Sequence, residues 1–76
     1  SDARACLLRG GNRCAIRALA GRARSGQERS LLIESYRQVG NVNAAMREMR
    51  RYIRQVPQGS RRARYEQFLA RHASAG

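Results

Sequence analysis

The chain has no lysine and no tryptophan, a single phenylalanine, a single proline and only five carboxylate side chains. Each shortage narrows what the protein can be. With 76 residues and so few large aromatics, the core has to come from aliphatic residues, methionine and three tyrosines. That is near the lower size limit at which one domain sustains its own core. No apolar run approaches the roughly 18 residues a membrane-crossing helix requires, so no membrane span is expected. No signal peptide is visible, and a start at Ser1 without methionine fits a processed product or the C-terminal part of a larger protein.

The missing lysine bears on the charge. All sixteen basic residues are arginine and the net charge is +11. Lysine serves phosphate sites well as a point charge, so its complete exclusion points to a GC-rich codon preference rather than to ligand selection. The excess of cations over carboxylates is not explained that way, and it predicts attraction to anionic surfaces.

Chemistry is equally sparse. Asp2, Glu28, Glu34, Glu48 and Glu66 are scattered without pairing. Nothing matches a nucleophile motif, a phosphate-cradling glycine loop or a metal-ligand spacing. Gly10-Gly11 lacks the strand and further glycine of a dinucleotide site. An enzyme is not expected, and neither is a cofactor or a metal. His72 stands alone near a helix end, where its charged form would meet the negative end of the dipole. Cys6 and Cys14 flank Gly10-Gly11. A disulfide there would contribute roughly 2–3 kcal/mol, and two free thiols packing as small core residues are the other reading. A bridge implies a location outside the reducing cytoplasm, free thiols a cytoplasmic one.

What the sequence does contain is helical periodicity. Leu32, Ile33, Tyr36 and Val39 share one face of a helix. Gly40 can close it in the left-handed conformation and Asn41 can cap the next. That second helix carries Ala45, Met46, Met49, Tyr52 and Ile53 on one face and Arg47, Arg50, Arg51 and Arg54 on the other. Pro57 should end it by about Gln55. Upstream, Ala3, Cys6 and Leu7 line a short helix that Ser1-Asp2 could cap, and Gly10-Gly11 breaks it. Asn12 then caps a helix carrying Ala15, Ile16 and Leu19. Arg22 to Gly26 read as a loop. Ser60 is expected to cap a last helix, Arg61 to His72, with Tyr65, Phe68 and Leu69 on its apolar face. The count is five helices and no strands, in one small domain.

The hairpin resembles the tetratricopeptide repeat, whose skeleton is W-x2-L-G-x2-Y, then A-x3-F, then P. Leu32, Tyr36, Ala45, Met49 and Pro57 fall on that skeleton. Arg29 replaces the usual large apolar residue. Ile33 and Tyr52 replace small ones, so looser packing is expected there. Ala15 and Leu19 repeat as Ala45 and Met49 at an offset of 30. The resemblance implies an all-α stack of antiparallel hairpins: a partial hairpin over 1–25, a full one over 26–59 and a capping helix over 60–73. It also implies a protein-interaction module whose groove is lined by Gln27, Ser30, Leu31, Glu34, Arg37 and Gln38, and on the last helix by Arg61, Arg64, Tyr65, Phe68 and Arg71. Such a groove favours an acidic partner segment or a C-terminal carboxylate. So short a stack leaves self-association open.

Two other readings compete. Arg47, Arg50, Arg51, Arg54, Arg61 and Arg62 could form an outer face that binds nucleic acid weakly and without base selectivity. A structural role within an assembly is the other. Val39 to Ala45 also resembles the opening of a bacterial helix-turn-helix of the Fis type. The turn that should follow is replaced by Glu48-Met49 within a continuing helix, so no separate recognition helix is available.

Overall fold

A computed structural model describes residues 2–75, with side chains at 5, 6 and 8–73. The described residues form four helices and no strand: α1 (Asp2–Leu19), α2 (Gly26–Gln38), α3 (Val42–Gln55) and α4 (Ser60–Ala75). The expected count of five is therefore corrected to four. The break expected at Gly10-Gly11 is present as a sharp kink, but the helical segments on either side run on without an intervening loop and together make α1. Gly11 sits at φ 76°, ψ −160°, a backbone state reserved for glycine, and bends one helical run on itself. Ser1 and the side chains of Asp2, Ala3 and Leu7, expected at the first cap and beside Cys6, lie outside what is described.

Local chemistry explains the other boundaries. Ser25 and Glu28 form a capping box at the start of α2, each side chain accepting from the other's end of the turn. Glu28 also accepts from the Arg24 N–H. Gly26, expected in the loop, is thus the first residue of α2. Gly40 at φ 83° reverses the chain after α2, and the Asn41 side chain accepts from the Ala44 N–H to start α3. At the start of α4 the cap falls one residue earlier than expected. The Gly59 carbonyl accepts from the Ala63 N–H, and Ser60 is already helical.

The helices pack in chain order, α1 on α2, α2 on α3 and α3 on α4. Ile33, Ala45, Met49, Tyr52 and Tyr65 form the larger buried cluster, with Ile53, Val56, Phe68 and Leu69 packed around it. Leu19 and Leu32 form a second, flanked by Ile16, Ala18, Ala23 and Leu31. Tyr36, expected in the core, is only half-buried and touches both clusters, joining them at their edge. Ile33 and Tyr52 are buried despite their size. Gly26 packs against the same region: an added Cβ would press on Val56 Cγ2 at 3.1 Å and meet Tyr52 Cε2 at an ordinary contact distance of 3.6 Å.

Arg29 is the feature that periodicity does not anticipate. Its guanidinium enters the α2–α3 interface and pairs with the buried Glu48 at 2.6 Å, while Arg51 holds the other Glu48 oxygen at 2.6 Å. Arg29 also donates to the Ala23 carbonyl and to Gln55 Oε1, and Gln55 donates to the Arg24 carbonyl. Every oxygen and nitrogen of this group that leaves water finds a partner, which a buried ion pair requires. The cluster ties the α1–α2 loop to α3.

Candidate functional site

The side of the molecule formed by α2 and α4 is a cleft of about 560 Å³ lined by Ser30, Glu34, Arg37, Arg61, Arg64, Tyr65, Gln67, Phe68 and Arg71. A shallower hollow adjoins it, sharing Ser30, Glu34 and Arg61 and adding Gln27 and Leu31. The expected groove residues are thus brought together, apart from Gln38, which lines neither. Gln67 is an addition. Its place between Arg64 and Arg71 on the same edge of α4 is the signal that would have found it.

The floor is set by Tyr65. Its ring packs edge-on against Tyr52, with centroids 5.1 Å apart, and so fixes α4 against α3. Its hydroxyl crosses to α2, lying 3.0 Å from Ser30 Oγ and donating to Glu34 at 3.1 Å. Burial pushes the Tyr65 hydroxyl up to about 12. The Glu34 charge and hydrogen bond add to the shift, and the Ser30 bond works against it. Tyr65 therefore acts as a neutral donor that holds the Glu34 carboxylate against the floor.

The walls are arginine. Arg37 lies over the Phe68 ring, 4.9 Å from its centroid, and pairs with Glu34 at 3.4 Å. Phe68 also stacks on His72 at 3.9 Å, and His72 Nδ1 lies 3.0 Å from the Phe68 carbonyl. Arg61, Arg64 and Arg71 are exposed, and none has a carboxylate within ion-pairing distance among the described residues. Four guanidinium groups thus face a cleft containing one carboxylate. Its aromatic floor can take an apolar group and its rim can take anions.

The alternative anionic face is not assembled as the sequence suggests. Arg62 turns inward and donates from Nη1 to the Ile53 carbonyl and, at 2.7 Å, to the Val56 carbonyl, closing the C-terminal end of α3. It also faces Glu66 at 3.6 Å. Arg51 is held by Glu48, and Arg61 belongs to the cleft. Arg47, Arg50 and Arg54 remain exposed on α3.

The two cysteines are joined. Cys6 and Cys14 form a disulfide with Cα atoms 5.5 Å apart. Eight residues of straight helix would separate them by about 12 Å, so the bend at Gly11 is what brings them into reach. Gly10 is part of the same arrangement, since a Cβ there would lie 2.8 Å from Cys14 Cβ. Among the described residues no three of His, Cys, Asp or Glu converge as metal ligands, and no helix is long and apolar enough to cross a membrane.

Comparison with protein-family models, with curated proteins and with solved structures yields no match.

Proposed function

We propose that the chain is a non-enzymatic protein-interaction module that holds an acidic segment of a partner protein in the cleft between α2 and α4. The observation that carries this reading is the set of uncompensated guanidinium groups, Arg61, Arg64 and Arg71, ranged beside the Phe68 ring. Arginine binds carboxylates through paired, directional hydrogen bonds, and the ring offers apolar area that a purely electrostatic surface lacks. The tetratricopeptide resemblance supports the same reading. Ala15 and Leu19 are buried like Ala45 and Met49, as repeated positions of stacked hairpins would be.

Titration of fluorescent acidic and basic peptides of equal length, followed by anisotropy at about 50 and 200 mM salt, tests it. The acidic peptide should bind, with affinity lowered but retained at the higher salt, and Phe68→Ala should weaken it. Loss of all binding at the higher salt, with duplex DNA bound equally well at the lower, would assign the charge to non-specific polyanion attraction instead.

The disulfide supports a second, independent reading: we infer an oxidising compartment, because such bridges persist outside the reducing cytoplasm. Alkylation of protein isolated without reductant, followed by mass spectrometry, should label neither cysteine. Two labelled cysteines would overturn the inference.

A further inference from the structure

The spacing of groups along α4 narrows the ligand further, on the reading of the cleft just given. At 1.5 Å per residue, Arg64, Phe68 and Arg71 stand about 4.5, 10.5 and 15 Å from Arg61 along the helix axis. The order is therefore cation, ring, cation, with Arg37 of α2 over the ring. In an extended chain, side chains on one side recur about every 6.6 Å. Three alternate residues of an extended segment then lie opposite Arg64, Phe68 and Arg71 in turn, with the flexible arginine stems absorbing a mismatch of about 3 Å over the whole span.

We infer that the cleft takes an internal, extended segment of about six residues whose same-side positions read acidic, apolar, acidic, with a further acid at the Arg61 end.

Two observations weigh against other occupants. A lone C-terminal carboxylate would satisfy one end and leave the arginine at the other end unanswered. A second copy of the chain carries the same +11 charge, and no two of its own carboxylates (residues 2, 28, 34, 48 and 66) are four positions apart. It cannot supply the motif.

The test uses the intact, disulfide-bonded chain and two hexapeptides, both N-acetylated and C-amidated. One reads Glu-Glu-Ala-Phe-Ala-Glu. The other has the same composition in the order Phe-Ala-Glu-Glu-Glu-Ala. Calorimetric titration at about 50 mM salt should find the first at least about tenfold tighter. Freeing its C-terminal carboxylate should bring no gain, and Arg71→Gln should erase its advantage over the second peptide. Equal affinity of the two orders overturns the inference while leaving the acidic-ligand reading of the cleft in place. Failure of both peptides to bind overturns both. Circular dichroism of the Arg71→Gln chain separates lost recognition from lost fold, and the comparison of peptides on the unaltered chain needs no variant at all.

Discussion

Glu48 and Arg29 show how far a single residue can depart from its apparent role. In the sequence Glu48 stands within a run of arginines, yet only 7% of its side chain is exposed, against 15% for Arg29. Removing one partner strands the other charge in the interface. Glu48→Ala should therefore cost roughly 3 kcal/mol, while joint replacement by Leu at 48 and Met at 29 should recover most of that. Denaturant melts of the single and double variants measure the difference. A contrast between Leu32 and Tyr36 tests the placement of the core. Leu32 is fully buried, so Leu32→Ala should cost about 3 kcal/mol. Half-buried Tyr36 should cost less, about 1–2 kcal/mol on truncation to alanine. Tyr65 gives a pH signature. Its hydroxyl is raised in the folded chain from 10.0 to about 12, so folding favours the protonated form. The stability it contributes is complete below pH 10 and is lost as pH rises toward 12. Absorbance titration should show one tyrosine ionising late, together with alkaline loss of helix. Tyr65→Phe should remove the late step.

At the scale of elements, the hairpin of α2 and α3 was legible because its signals are local. Gly40-Asn41 and Pro57 act within a few residues of where they stand, and α3 ends at Gln55 as the proline requires. The Ser25-x-x-Glu28 box was equally local, and its spacing alone would have placed the start of α2 one residue after Ser25. Long-range partners were not legible. Arg29 meets Glu48 across 19 positions, and Arg62 reaches back to carbonyls six and nine residues upstream. No periodicity encodes those contacts. The residues that the tetratricopeptide resemblance places in the groove, apart from Gln38, line the cleft and its adjoining hollow, whereas the inward turn of Arg62 depended on the end of α3. The bend in α1 carries its own prediction. Replacing both cysteines with alanine should lower stability by about 2–3 kcal/mol on the chain-entropy estimate. Gly10→Ala should hinder the bridge, because its Cβ would press on Cys14. Oxidative refolding followed by thiol counting should find slower or incomplete pairing in that variant and full pairing in the parent.

For the molecule as a whole, charge is distributed rather than merely abundant. Arginines 29, 51 and 62 are bound into the structure, and Arg47, Arg50 and Arg54 stand on the outer face of α3. Arg37, Arg61, Arg64 and Arg71 converge on the cleft. A net charge of +11 draws any polyanion to the molecule, so attraction by itself discriminates nothing. What separates recognition from attraction is place. The decisive measurement compares binding of one acidic peptide to two charge-reversed chains, Arg64→Glu/Arg71→Glu in the cleft and Arg50→Glu/Arg54→Glu on α3, which carry the same net charge. The account predicts that the cleft variant loses most of its affinity while the α3 variant keeps affinity near that of the parent. Equal losses in the two variants, or a larger loss in the α3 variant, would contradict it.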